Sequence, residues 1–167
     1  ISVTPDVLVP RPETETVVEA ALDFVMRSGL RLEKLRVLDI GTGPGLPGIP
    51  LAIARPDCFF TLLDANAKKT RFVTQAVGEL GLKNVEVVQT RVENYRPVEK
   101  FDTLVARAFS SIADMLNNAQ HLCAPGGRFL AMKGVYPEEE LAAKRGAHKL
   151  ALFEATHGTA PKYTNLD

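Results

Sequence analysis

The chain has 167 residues, of which 46% are hydrophobic and 24% charged, a composition typical of one globular domain with its own core. Twenty Lys and Arg balance twenty Asp and Glu, which excludes a strongly basic chain but not a local basic patch. No apolar run approaches the ~20 residues that span a bilayer, and no secretory signal is visible, so a cytoplasmic protein without membrane contact is expected. The two cysteines lie far apart without zinc-site spacing, so no metal is expected.

Short β-like runs alternate with helix-like stretches along most of the chain. A proline-containing lead-in over residues 1–12 precedes a predicted helix that begins at Glu13 and ends before Gly29. The predicted strands are Arg36–Ile40, Phe59–Leu63, Val85–Val88, Thr103–Ala106 and Arg128–Met132, with one more near Leu150–Phe153. The predicted helices cover residues 47–54, 67–80, 112–122 and 137–145, and the separators include Gly81, Pro97, Pro125, Gly126 and Gly127. This alternation predicts an α/β fold, a parallel sheet with helices on both faces.

A glycine-rich segment, VLDIGTGPGLPG, runs from Val37 to Gly48. A hydrophobic strand leads directly into three glycines and then into a helix. Glycine allows a sharp turn and a close approach to a ligand, and a helix start offers free N–H groups. In a doubly wound sheet this is the edge where ligands bind, so the segment predicts a ligand-binding loop.

Two cofactor classes compete for this loop. A string that begins at Gly43 matches the GxGxxG pattern of dinucleotide sites, but it is displaced two residues from the strand. The pattern Asp39-x-Gly41-x-Gly43-x-Gly45 instead has the form used for S-adenosylmethionine. Asp64, at the end of the second strand, can accept hydrogen bonds from both ribose hydroxyls. In the alternative interpretation the glycines only make a tight turn and Asp64 only caps the next helix.

Residues about 37–142 resemble the bacterial small-subunit ribosomal RNA guanine-N7 methyltransferases, also called the glucose-inhibited division protein B family. The matching strings are VLDIGTGPGLPGIPLAIARP, FTLLDANAKKTRFV, VQTRVENY, FDTLVARAFSS and GGRFLAMKGVYPEEEL. The resemblance implies a Rossmann-like three-layer sandwich of the class I methyltransferase type, strand order 3-2-1-4-5, and S-adenosylmethionine as cofactor. It also implies roles for single residues: Gly41 and Leu46 line the cofactor loop, Asp64 holds the ribose, Val92 and Glu93 flank the adenine, and Arg107 lies beside the methyl-transfer position as the catalytic candidate.

Methyl transfer to guanine N7 needs alignment more than acid–base catalysis, because N7 carries a lone pair and no proton. Arg107, at a strand end, can hold a phosphate or carboxylate with two hydrogen bonds, or it can pair with Asp102 or Asp39. Several further residues have both a substrate-binding and a structural interpretation. They are the basic cluster Lys68, Lys69 and Arg71, then Lys133 and Phe109. For His121, His148 and His157, surface or packing roles are favoured over catalysis.

The two ends of the chain resemble other enzymes. Residues 3–22, VTPDVLVPRPETETVVEAAL, resemble the release-factor glutamine methyltransferases, but that family's Asn-Pro-Pro-Tyr is replaced by Ala106-Arg-Ala-Phe109, so glutamine methylation is not expected. Residues 151–163, ALFEATHGTAPKY, resemble a nucleotide-contacting loop of NADP-dependent isocitrate dehydrogenases, in which His157 and Tyr163 would face the adenine half. These resemblances predict an engineered chimera. Its single domain would comprise a lead-in and helix (1–36), a cofactor-binding core (37–142) and a foreign segment (143–167).

The departures from the ribosomal RNA family define further expectations. The helical region that helps that family hold RNA is expected to be absent ahead of the core, and a full closing hairpin is not expected after residue 141. The sheet is therefore expected to be truncated at its C-terminal edge, where it could associate with another molecule. Ribosomal RNA is the partner implied by the resemblance, with weak or absent turnover. The alternative is a recombined protein with no biological activity.

Overall fold

Six strands form one sheet in the part of the chain that the structure describes. The computed structural model describes residues 34–106, 111–133 and 149–154. The strands are β1 (Arg36–Ile40), β2 (Phe59–Asp64), β3 (Val85–Gln89), β4 (Phe101–Ala106), β5 (Cys123–Lys133) and β6 (Lys149–Glu154). Their order is β3-β2-β1-β4-β5-β6, and all of these neighbours pair in parallel. The predicted order 3-2-1-4-5 is confirmed, and the sixth strand occupies the place expected for Leu150–Phe153.

Within the described residues, three helices and two 3₁₀ turns connect these strands. The helices are α1 (Gly48–Ala54), α2 (Ala67–Glu79) and α3 (Ile112–Ala119), and the turns are Val92–Asn94 and Gln120–Leu122. Helix α2 begins where the Asn66 side chain accepts hydrogen bonds from the N–H groups of Lys68 and Lys69, at 2.9 and 3.3 Å. Such caps satisfy N–H groups that have no partner inside the helix. The helices predicted from Glu13 and over residues 137–145 lie outside the described residues.

The sheet separates two apolar layers, as a three-layer sandwich requires. On one face, α3 packs the buried side chains of Ile112 and Met115 against the sheet. On the other face, α1 contributes Leu51 and Ala52, and α2 contributes Val73. Because successive residues of a strand point to opposite faces, each central strand supplies both layers. This burial fixes the register that brings the strand ends together.

Strand β5 departs from the sequence prediction. Pro125, Gly126 and Gly127 were expected to separate elements, but the strand runs through them from Cys123 to Lys133. The pairing with β4 shifts register at this place, and Gly126 has a φ of +76°, a conformation that favours glycine. The prediction of a break was wrong because an irregular, bulged strand accommodates the same turn-forming residues.

Asn84 links the end of α1 to the start of β2. This buried side chain lies just before β3, and its Nδ2 donates to the carbonyl oxygens of Ala52, Arg55 and Cys58 at 3.1, 3.2 and 3.0 Å. One amide thus satisfies several backbone acceptors that belong to different elements.

The substitution Asn84→Ala is expected to lower the free energy of unfolding by about 2 kcal/mol, because it leaves buried carbonyls without a donor. Urea denaturation of the variant measures this loss. Asn117→Ala, at an exposed position of α3, is the matched control and should change stability by less than about 0.5 kcal/mol. Equal stability of the two variants would contradict the linking role of Asn84.

Candidate functional site

The loop between β1 and α1 is held against the end of β2. The N–H groups of Gly41 and Thr42 both donate to the Leu63 carbonyl, at 2.8 and 3.1 Å. Gly41 and Gly43 have φ values of +69° and +61°, which a residue with a Cβ rarely adopts. Further along, the N–H groups of Gly45 and Leu46 both donate to the Thr42 carbonyl at 3.1 Å. The loop is therefore a compact, hydrogen-bonded structure.

Asp39 lies beneath this loop and is 1% exposed. Its Oδ2 accepts hydrogen bonds from the Thr42 hydroxyl at 2.7 Å and from the Gly48 N–H at 3.0 Å. One buried carboxylate thus joins the start of the loop to the first residue of α1. The sequence predicted Asp39 at this place, and the geometry gives it a loop-positioning role.

Asp64 ends β2 and is fixed by backbone donors on both oxygens. Its Oδ2 accepts from the Gly43 N–H at 3.0 Å, and its Oδ1 accepts from the Asn66 N–H at 2.9 Å. A carboxylate has about four acceptor positions, so each oxygen retains capacity for one further donor. The Nζ of Lys69 lies 3.8 Å from Oδ2, which places a cation beside the carboxylate.

An open cleft of about 390 Å³ adjoins these residues at the carboxyl ends of β1, β2 and β3. Its lining comprises Ile40, Gly41, Leu63, Asp64, Ala65, Lys69, Thr90, Arg91, Val92 and Glu93. The structure therefore brings together four of the residues predicted from the sequence, namely Gly41, Asp64, Val92 and Glu93. Apolar side chains and charged groups of both signs meet in a volume suited to a small ligand.

Some predicted residues lie elsewhere. Gly45 and Leu46 belong to the loop but do not line the cleft. Arg107, Phe109, His148 and His157 lie outside the described residues, and of Lys133 only its place at the end of β5 is described. His121 is away from the cleft, with its Nε2 2.9 Å from an Arg96 nitrogen and 3.2 Å from the Tyr95 carbonyl oxygen, which fits a packing role.

The polar residues Thr42, Thr90 and Arg91 are at the site but had not been predicted as site residues. The role of Thr42 could have been predicted from the sequence, because a hydroxyl three residues after an acid near the end of a strand can donate a hydrogen bond back to that acid. Thr90 and Arg91 reach the cleft only because β3 pairs beside β2, with Asp64 opposite Gln89. No spacing rule in the sequence indicates that position.

Within the described ranges, the titratable side chains outside the cleft form no group that could serve as a separate catalytic site. Both cysteines are free and buried, and burial raises the pKa of the Cys123 thiol to about 11. A thiol with a raised pKa is a poor nucleophile at neutral pH. Within residues 34–106 and 111–133, no group of three or more His, Cys, Asp or Glu side chains is placed to hold a metal ion.

Comparison with known sequences assigns the family. The profile of the GidB family, described as rRNA small subunit methyltransferase G, matches residues 13–162. The chain belongs to this family. A ribosomal RNA small subunit methyltransferase G from Nitrosococcus oceani is 62% identical over 112 residues, which cover 67% of this chain and 52% of that protein. The corresponding protein of Legionella pneumophila is 56% identical over 105 residues, or 63% of this chain and 50% of that protein. The chain thus spans about half the length of these curated relatives.

Solved structures confirm the fold of this GidB family member. A protein described as an S-adenosyl-L-methionine-dependent methyltransferase from Methanococcus maripaludis aligns with a TM-score of 0.58 at 23% identity, covering 72% of this chain and 55% of that one. A methyltransferase from Thiobacillus denitrificans in complex with S-adenosyl-L-homocysteine aligns with a TM-score of 0.54 at 24% identity, covering 73% and 48%. The Rossmann-like class I methyltransferase fold predicted from the sequence is therefore confirmed.

The chimera hypothesis finds no support in these comparisons. One family profile matches residues 13–162 as a single stretch, which includes most of the segment predicted to be foreign. Short similarities to two other enzymes therefore carry less weight than the family match. The division of the chain at residues 36 and 142 stays a prediction.

Proposed function

We propose that this chain binds S-adenosylmethionine and that the whole protein transfers the methyl group to guanine N7 in small-subunit ribosomal RNA. The observation that carries the proposal is the Asp64 carboxylate, which is fixed by the glycine loop and faces a cleft with acceptor capacity to spare. The names of the relatives and the cofactor complex of a structural neighbour support the same conclusion.

The residues that line the cleft suit the parts of an adenosyl ligand. The two ribose hydroxyls match the two remaining acceptor positions of Asp64. Ile40 and Val92 offer apolar surface to a base, and the Glu93 carboxylate can accept a hydrogen bond from an exocyclic amino group. Gly41 leaves the loop side of the cleft without a side chain, which makes room for the methionine part.

S-adenosylmethionine, when bound, supplies an electrophilic methyl group on a sulfonium. The residues of this chain then have to hold the cofactor and the acceptor in line, which is the main source of rate enhancement for such a displacement. Guanine N7 has no proton to lose, so no general base is needed at that atom. Arg107, which the family resemblance places beside the methyl-transfer position, remains the proposed residue for holding the acceptor, and Lys133 at the end of β5 is a further candidate.

We also propose that the protein acts in the cytoplasm, because its proposed substrate is ribosomal RNA. Across the described ranges, the helices are all too short or too polar to cross a membrane. Association through a sheet edge, expected from the sequence, stays a prediction.

Calorimetry with S-adenosylhomocysteine tests cofactor binding directly. We expect micromolar affinity for S-adenosylhomocysteine. We expect no heat with NADP, because the N–H groups of Gly41, Gly43 and Gly45 already donate within the protein and would not be available to a pyrophosphate. Incorporation of tritiated methyl groups into an unmodified small-subunit ribosomal RNA transcript, followed by mapping of the modified base, then tests the reaction. Absence of heat at millimolar S-adenosylhomocysteine would refute the cofactor assignment.

A further inference from the structure

The outward face of the first turns of α2 carries a basic–aromatic patch, defined here as Lys68, Arg71 and Phe72. Residues three and four apart on a helix share a face, so these three side chains are neighbours, on the side away from the buried Val73. All three are exposed, and Phe72 is 57% exposed. Among the residues described, no carboxylate lies within ion-pair distance of Lys68 or Arg71, whereas Lys69 has Asp64.

This patch opposes the stability of its own helix. The first turn of a helix favours acidic residues, because the N-terminal end of the helix dipole is positive. Helix α2 has no acidic residue in its first turn, and it has the cations Lys68, Lys69 and Arg71 within its first five residues. The Phe72 side chain, which is 57% exposed, adds less packing energy than a buried ring would. Residues that break local stability rules without a packing gain indicate a selected function.

The chemistry of the patch matches one kind of partner. Lysine and arginine side chains neutralise phosphates, and an exposed aromatic ring offers a surface on which an unpaired base can stack. The patch is close to the cleft along the chain, because Lys69, which lines the cleft, directly follows Lys68 in α2. A nucleotide chain on the patch would therefore lie beside the proposed cofactor cleft, on the opposite side of β1 from the ends of β4 and β5, where the acceptor-holding residues are proposed.

We propose that the basic–aromatic patch is a docking surface for single-stranded RNA, separate from the cofactor-binding residues. This proposal rests on the proposed function, because RNA is the acceptor proposed there and the patch gives the protein a further surface that holds it. The cations hold phosphates without reading sequence, and Phe72 stacks on a base. The whole chain has no net charge, but the patch concentrates positive charge at one place on its surface, where it can attract phosphates.

Fluorescence anisotropy with a short labelled single-stranded RNA of mixed sequence tests the proposal. Phe72→Ala is expected to weaken binding roughly tenfold through loss of stacking. The double variant Lys68→Ser/Arg71→Ser should reduce the slope of log affinity against log salt by about 1.4, or about 0.7 for each phosphate that is no longer neutralised. The same double variant should not lose thermal stability, since it removes cations from a helix start.

Matched controls test whether RNA binds to the patch itself or to positive charge and apolar surface anywhere on the protein. Ile53→Ala removes an apolar side chain of similar exposure (54%) from α1, and Lys83→Ser/Lys100→Ser removes the same charge from positions outside the patch. Equal loss of RNA affinity in the controls would overturn the proposal. So would parent affinity in the patch variants, failure of the parent to bind the RNA, or equally tight binding of poly-glutamate. Calorimetry with S-adenosylhomocysteine on the same variants reports the proposed function independently.

Discussion

Asp64→Ala is expected to weaken the binding of S-adenosylhomocysteine by about 100-fold or more, the largest effect on affinity that the structure predicts. The carboxylate would accept two ribose hydroxyls, and each hydrogen bond to a charged acceptor contributes about 1.5–3 kcal/mol. Losing both costs at least about 3 kcal/mol, which corresponds to about two orders of magnitude in the dissociation constant. Isothermal titration calorimetry of parent and variant measures the difference.

The matched control for this experiment is Asp57→Ala, just before the other end of the same strand. Asp57 accepts hydrogen bonds from Arg55, which holds the pKa of Asp57 below its ordinary value, and it is not among the residues that line the cleft. Its removal should leave the affinity within about twofold of the parent, since a distant surface change rarely alters a site. Asp64→Glu serves as a second variant should Asp64→Ala not fold, because it keeps the charge while displacing the oxygens. Parent-like affinity in a folded Asp64→Ala protein would disprove the ribose-binding role.

The position of Asp64 could be predicted because it depends on simple regularities. The glycine run marks the end of β1, and the next β-like run ends in an acid. In a parallel sheet both ends meet at one edge, and the register that pairs Ile40 with Leu63 indeed brings Gly41 and Asp64 together. Apart from the start of β5 and the last turn of the helix predicted over residues 112–122, the predicted strands and helices within the described residues agreed with the structure. Their apolar patterns reflect burial on the two faces of the sheet.

Other features depend on tertiary contacts that no local pattern reports. The passage of β5 through Pro125–Gly127 depends on a register shift against β4. The arrival of Arg91 at the cleft depends on the pairing of β3 with β2. The double hydrogen bonding of Asp39 requires the approach of Gly48 across the loop, which the string of glycines alone does not specify.

The chimera hypothesis rests on short similarities, and the family match does not favour it. The resemblance over residues 151–163 covers only a short string, whose second half contains the turn-forming residues Gly158, Thr159 and Pro161. Such residues recur in unrelated proteins because turns require them. The match of one family over residues 13–162 contains ordered strands, helices and a site, and is therefore the stronger indication.

Gly48→Ala is expected to cause the largest loss of stability, about 3 kcal/mol in the free energy of unfolding, as overpacking of a core position does. Gly48 is the first residue of α1, and a Cβ at this position would overlap the Leu62 side chain and approach within 2.7 Å of Asp39 Oδ2. Both neighbours are buried in the sheet, at 0% and 1% exposure, so neither can move away cheaply. Any shift of α1 would also break the hydrogen bond from the Gly48 N–H to Asp39. Urea denaturation measures the loss.

Gly78→Ala provides a control of identical chemistry with the opposite expected sign. Gly78 lies in the last turn of α2, and a Cβ there meets no atom within 4 Å. Alanine should therefore raise the free energy of unfolding by about 0.5–1 kcal/mol through helix propensity. Comparing the two variants distinguishes the effect of replacing a glycine in a helix from the effect of adding a Cβ where Asp39 and Leu62 already fill the space. If both variants became more stable, the close contact of α1 with β1 and β2 would be wrong, and with it the position of the loop that α1 anchors.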